Sequence, residues 1–158
     1  FYNHFVTDRE EPFDQPGTPE EPKGHYIFDK PEPLWNFGHG KSYTTFDYVD
    51  CALSDTLLAA SDTLKVSVMI KNTGRCDGKE VVQLYVRDKV STVATPIQQL
   101  KAFQKVLVKS GESQCVELSL PIAELALYNA KMEEVVEPGD FEIQIGAASD
   151  DIRFKQLL

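Results

Sequence analysis

The residues able to do chemistry in this 158-residue chain are carboxylates, three histidines, three cysteines and a run of aromatic rings. Two carboxyl groups facing each other, one with a raised pKa, perform acid–base hydrolysis. Here Asp77, Asp140, Asp150 and Asp151 fall among turn formers, and Glu117 and Glu142 hold the polar positions of alternating runs. They read as scattered, solvated charges, and no catalytic residue is assigned. His4, His25 and His39 lack the paired spacing on one element that a metal site uses. Asp150-Asp151 after Ser149 has oxygens suited to calcium, but the same residues make a plain β-turn, which is the expectation taken. Cys51, Cys76 and Cys115 are too few and too scattered for a disulfide framework or a zinc site. Buried or incidental thiols are expected, with a bridge between one pair left open. No cofactor and no metal is expected.

Composition narrows the partners. The net charge is −9 and the pI about 4.8, so a nucleic-acid backbone or an anionic membrane surface would repel the chain. No apolar run approaches the ~18–20 residues of a membrane span, and no charged-then-apolar leader is visible. The chain opens on Phe1, which suggests a piece of something longer.

Most of the chain must position these residues as β-structure. Leu64, Val66, Val68 and Ile70 alternate with polar neighbours, and Val82, Leu84 and Val86 do the same against Gln83, Tyr85 and Arg87. A period of two puts one set in a core and the other toward water. Asn72, Gly74, Asp77 and Gly78 interrupt the two runs, so they read as antiparallel neighbours joined by a turn. A first strand, in which Phe46 and Tyr48 alternate with Thr45 and Asp47, is expected to run to Leu53. Ser91–Gln99, with Pro96, reads as an edge strand or crossover, and Leu100–Val108 as a strand ended by the turn Lys109–Glu112.

Val116, Leu118 and Leu120 mark another strand, followed by a helical turn that starts at Pro121. A hairpin is expected around Asn129–Glu133 and a type II turn at Glu137–Asp140, with Gly139 at its positive φ. Phe141, Ile143 and Ile145 make a half-buried strand, and Ile152 and Phe154 a last one. Seven or more short strands at this spacing predict an all-β fold over residues 44–158. The expected form is a two-sheet sandwich of the immunoglobulin or fibronectin type III kind.

Residues 1–43 are different. Six of the nine prolines and eight acidic against three basic residues fall within residues 1–33. Proline removes backbone donors, so this stretch cannot join a sheet interior and should be an extended strap or linker. Tyr26, Phe28, Trp35, Phe37 and Tyr43 are nevertheless too apolar to hang in water, since burying such a ring gains on the order of 2–3 kcal/mol. Residues 25–43 are expected to lie against the following domain, or against a partner outside this chain.

The motifs now in hand resemble the C-terminal region of family 3 glycoside hydrolases, the β-glucosidase and β-xylosidase family. Pro33 to Phe46, PLWNFGHGKSYTTF, is similar to that family's PLxPFGxGLSYTTF segment. Lys71–Gly74 with Gly78–Tyr85 resembles xNTGxxxGxEVVQLY. Pro96 with Leu100–Phe103 resembles PxxxLKGF, and Ser110–Ser113 resembles PGES. Val136–Phe141 and Gly146–Ile152 are similar to the last two motifs, and Phe1–His4 to the run that leaves the family's second domain. The ordered set spans residues 33–152. Asn36 stands for a usual proline, Lys41 for an apolar residue and Ala102 for a glycine, and the stretch from His4 to Pro33 is long and acidic.

The resemblance implies a parent enzyme that removes β-linked sugars with retention. Its two catalytic carboxyls, ~5–5.5 Å apart, lie upstream, outside these motifs. The chain is then expected to be a non-catalytic accessory domain that clamps the catalytic domains together, with a loop near the substrate entrance. Its partners would be those upstream domains, possible contact with oligosaccharide substrate being left open, and its compartment the periplasm or the exterior. Flat rings also stack on sugars, so Trp35, Tyr26, Phe37 and Tyr43 are candidate sugar or inter-domain contacts, with packing preferred. The alternatives are an autonomous carbohydrate-binding module and an adhesion module.

Overall fold

Alternating apolar residues build seven principal strands in this computed structural model, which describes residues 33–158. The expectations for Tyr26, Phe28, His4, His25 and the acidic stretch that leads into Pro33 lie outside the described residues. The strands are β1 (Phe46–Leu53), β2 (Thr63–Asn72), β3 (Gly78–Asp88), β4 (Gln99–Val108) and β5 (Ser113–Pro121), then β8 (Phe141–Ala148) and β9 (Asp151–Leu157). A 3-10 turn at Ile122–Leu125 and the small hairpin β6 (Leu127–Tyr128) and β7 (Glu134–Val135) lie between β5 and β8. The helical turn after Pro121 and the hairpin around Asn129–Glu133 therefore form as expected.

Two antiparallel sheets face each other, one in the order β1-β2-β5 and the other β4-β3-β8-β9. Val66, Val68, Ile70, Val116, Leu118 and Leu120 from the first meet Val82, Leu84, Ile143 and Ile145 from the second, each almost fully buried. This is the predicted sandwich, and the inward faces follow the predicted alternation.

One pairing expectation is overturned. β2 and β3 are not neighbours; they belong to opposite sheets. Period-two alternation says which face is buried, and both a hairpin and two strands facing across a core satisfy it. The loop Thr73–Asp77 crosses between sheets, and the turn after β4 crosses back to β5, with Gly111 at φ 77°. Ser91–Gln98 is neither the edge strand nor the crossover expected: it is a loop that joins β3 to its antiparallel neighbour β4 in the same sheet, and Pro96 sits where no ladder bond is needed. The type II turn is also corrected: Gly139 does not take a positive φ. Its segment is held from outside instead, by the Thr92 N–H donating to Glu137 Oε2 at 3.0 Å and the Lys89 N–H to the Asp140 carbonyl at 3.1 Å.

A polar clasp closes the gap between the sheets at one side. Glu80 lies on the inward-facing side of β3 with Val82 and Leu84, and Tyr48 on β1 donates its hydroxyl to Glu80 Oε1 at 3.0 Å. The Arg153 guanidinium lies 5.7 Å from the Tyr48 ring centre and is paired with Asp151 at 2.6 Å. Burial pushes the Glu80 carboxyl above the usual carboxylate range, against the lowering pull of the Tyr48 hydrogen bond and the Arg153 charge. A carboxyl whose pKa is raised by folding stabilises fully below its unfolded pKa, and that contribution is lost as pH rises through the folded value. Glu80→Gln keeps an acceptor for Tyr48 and removes the ionisation. The variant is therefore expected to melt higher than the parent sequence at neutral pH, with the gap closing as pH falls toward 4. Melting curves across that range test it; a gap that widens on acidification contradicts it.

Candidate functional site

The strap that precedes β1 docks on the outer face of the four-stranded sheet, and it docks by its backbone. Asn36 Nδ2 donates to Asp150 Oδ2 at 2.7 Å in the β8–β9 turn, and the Ser149 N–H donates to the Phe37 carbonyl at 2.9 Å. Next along, Gln83 Nε2 donates to the Gly38 carbonyl at 3.1 Å and also to the Ala147 carbonyl, while Gln83 Oε1 accepts the Tyr85 hydroxyl at 2.6 Å. Further on, the Cys76 thiol donates to the Tyr43 carbonyl at 3.2 Å and Thr44 Oγ1 to Asn72 Oδ1 at 2.7 Å.

Gln83 and Tyr85 are accordingly buried, although their positions in alternating runs pointed them at water; Gln144, read the same way, is buried too, with no hydrogen bond to strap residues 33–43. For Gln83 and Tyr85 a covered face is the reason: each polar atom of the Gln83 amide has a partner, so its burial carries no desolvation penalty left uncompensated. Burial, with the Asp150 charge beside it, pushes the Tyr85 hydroxyl up to about 12, so it remains a neutral donor across physiological pH.

The rings behave otherwise. Trp35 is 65% exposed, Phe37 53% and Tyr43 fully so, with Leu34 beside them at 83%. Trp35 stacks on His39, ring centres 6.4 Å apart at 25°. Within residues 33–43 the rings do not glue the strap to the sandwich, which corrects one branch of the expectation. The backbone took that role because Gly38, at φ 81°, turns the strap close to Gln83 and Tyr85. Phe37 and His39, on either side of that turn, are left exposed. Tyr26 lies outside the described residues.

A methyl group at Gly38 would sit 2.2 Å from Gln83 Oε1 and 2.6 Å from the Tyr85 hydroxyl, in a backbone region L-residues avoid. Gly38→Ala should therefore lift the strap at a local cost of about 1–3 kcal/mol. The Ser149 amide is expected to exchange its hydrogen roughly tenfold faster or more, because its acceptor leaves with the strap. An unchanged Ser149 rate would show that the strap is not held there.

Between the strap and the sheet runs an open groove of about 470 Å³. Phe37, His39, Lys41, Lys79, Phe103 and Lys105 line it, over a floor of Val81 and Gln83. Glu80 is the one acidic residue on its lining, and its side chain is turned to the inner side of the sheet, where it accepts the Tyr48 hydroxyl. A second, much smaller hollow of about 30 Å³ has Asp88 and Lys101 on its wall. Neither holds two facing acids. Of the acids singled out, Asp77 accepts the Ser110 N–H at 2.9 Å, Glu142 pairs with Lys89 at 3.2 Å, Asp151 pairs with Arg153, Asp150 accepts from Asn36 of the strap, and Asp140 and Glu117 are exposed. Ser149-Asp150 is a plain turn between β8 and β9, and among the described residues no three His, Cys, Asp or Glu side chains gather in a metal-holding group. Cys51, Cys76 and Cys115 are free thiols; Cys76 and Cys115 are exposed rather than buried, and burial pushes Cys51 up to about 11.

A family model described as fibronectin type III-like domain matches residues 80–149, the stretch that runs from β3 to the β8–β9 turn. The sandwich is a fibronectin type III-like domain. Its relatives are glycosidases: a β-xylosidase of Formosa agariphila is 44% identical over 137 residues, covering 85% of this chain and 19% of that protein. A periplasmic β-glucosidase of Salmonella typhimurium is 35% identical over 159 residues, covering 99% of this chain and 20% of that one. Among solved structures, a β-glucosidase from Listeria innocua in complex with glucose superposes with a TM-score of 0.77 at 36% identity, over 99% of this chain and 22% of that one. The fibronectin type III-like chain thus spans about a fifth of the relatives it matches. The resemblance read from the ordered motifs holds. Asn72, Gln83 and Tyr85 were not singled out as docking residues; their only signal was membership of the NTG and EVVQLY motifs.

Proposed function

We propose that this fibronectin type III-like domain is the non-catalytic C-terminal accessory domain of a β-glucosidase-type glycoside hydrolase. The parent chain hydrolyses β-glycosidic bonds with catalytic domains that lie upstream. The observation that carries this reading is chemical. Hydrolysis with retention needs two carboxyls across a pocket, and in both concavities the acids stand singly, with Glu80 already engaged by Tyr48. Relatives about five times longer, two of them named for β-glucosidase or β-xylosidase activity, support the remainder. The periplasmic relative supports a periplasmic or extracellular address for the parent, and no helix among the described residues is long and apolar enough to cross a membrane.

A carbohydrate-binding role draws support from the exposed Trp35 ring. The groove beside it argues the other way. Reading sugar hydroxyls takes free, convergent polar groups, and the Gln83 amide on the groove floor is already committed to Gly38, Ala147 and Tyr85. The purified chain should give no turnover of aryl β-glucoside or β-xyloside above a buffer blank. Activity that co-purifies with the chain through a second, orthogonal column would overturn the reading.

A further inference from the structure

We infer that the outer face of the four-stranded sheet, together with the strap laid on it, is the surface that receives the rest of the parent chain. Its counterpart there is an apolar patch edged with carboxylates. This rests on the accessory-domain reading and adds the face and the chemistry of the partner.

The two outer faces of the sandwich differ in kind. On the three-stranded sheet, outward positions carry Asp47, Lys65, Ser67, Lys71, Glu117 and Ser119, with Val49, Met69 and Cys115 among them, a mostly polar surface that carries no exposed ring. On the four-stranded sheet, exposed Phe37 and Phe103 line an open groove, exposed Trp35 stacks on His39 of its lining, and exposed Leu107 lies further along β4. Large exposed rings gathered on one side mark an interaction surface, and aromatic anchors set in a polar rim are the usual anatomy of one. The rim is basic: Lys41, Lys79 and Lys105 line the groove of a chain whose net charge is −9. An acidic rim opposite would be attracted and fixed in register.

Chain continuity selects the occupant. The strap meets this face at Asn36 and Phe37, and the upstream part of the parent chain is joined to the sandwich through it. Chains that match this one are about five times its length. A groove of about 470 Å³ is large enough to take a protruding apolar side chain or two from that partner. The polar dock below makes the face rigid before contact: Gln83, Tyr85 and Asn36 hold the strap so that its rings are presented and not collapsed.

The test compares amide hydrogen exchange in the full-length parent with that in the 158-residue chain. Residues 34–43 and 100–107 should be protected at least tenfold more in the parent. The double variant Phe103→Ser, Lys105→Glu should abolish that difference, while Lys65→Glu, Lys71→Glu on the opposite face should leave it intact. Equal exchange in the two chains, or protection gained on the three-stranded sheet, would overturn the inference. So would slowing of the same amides in the 158-residue chain by cello- or xylo-oligosaccharides, which would make the face a sugar site. If removal of residues 33–158 changes neither the activity nor the melting of the parent, the accessory-domain reading itself fails. If removal matters but this face gains no protection, only the inference fails.

Discussion

Replacing Asn72 with alanine is expected to cost about 3–5 kcal/mol and to lower the melting temperature by more than ~10 °C. The side chain is fully buried and every hydrogen-bonding site on its amide is used. Oδ1 accepts the Thr44 hydroxyl at 2.7 Å and the Gly74 N–H at 3.0 Å, and Nδ2 donates to the Cys76 and Val108 carbonyls, each at 2.9 Å. One amide thus ties together the end of the strap, the loop that crosses between sheets and the end of β4. Its own backbone adds the neighbouring turn, through Glu112 and Gly111, each at 3.0 Å. Alanine leaves buried donors and acceptors without partners, and a buried polar group so orphaned costs roughly 1–3 kcal/mol.

Asn72→Asp separates charge from shape. The carboxylate would face two carbonyl oxygens that now accept from Nδ2, so at neutral pH the loss should be at least as large as for alanine. A carboxyl that folding holds protonated stabilises most at low pH, so acidification should restore part of it. Urea unfolding at pH 7 and pH 4.5 measures both. An alanine variant within 1 kcal/mol of the parent sequence would show that the amide is not the tie described here.

The second large effect is at Gly146. A Cβ there would lie 2.2 Å from the Asp151 carbonyl oxygen and 2.9 Å from Ile152 Cα, backbone atoms of the neighbouring strand. The residue sits where the β8–β9 register shifts, so the close approach is built into the sheet. Gly146→Ala must push β9 outward, loosening Phe154 from the core and the adjacent Ala147 carbonyl from Gln83. A loss of about 3 kcal/mol is expected, with the β9 amides exchanging fastest. Gly139→Ala is the matched control. Nothing lies within 4 Å of its Cβ position and its φ is not positive, so it should be neutral or slightly stabilising. Equal melting temperatures for the two variants would contradict the account of the bulge.

The strand inventory was legible because burial on one face writes itself as alternation. Val66, Val68 and Ile70 in β2, Val116, Leu118 and Leu120 in β5, and Ile143 and Ile145 in β8 all point inward as read. Pairing was not legible, since alternation is blind to whether the facing strand is a ladder neighbour or lies across the core. That is why β2 and β3 were expected side by side. The docking face was hidden for a related reason. A Gln or Tyr in the polar half of an alternating run looks solvent-facing until something covers it, and the cover here is a strap more than forty positions earlier in the chain. The aromatic cluster was visible, but its direction was not: the positive φ at Gly38 decides that the backbone faces the sheet and the rings face away.

On the function proposed, this sandwich holds an enzyme together and transforms nothing itself. The most direct measurement takes the parent glycosidase with residues 33–158 removed and assays aryl β-glucoside and β-xyloside hydrolysis alongside its melting temperature. Loss of stability, with activity declining in step, is the predicted result, and the isolated 158-residue chain should contribute no turnover of its own. A truncated parent that keeps its activity and melts where the intact enzyme does would contradict the claim.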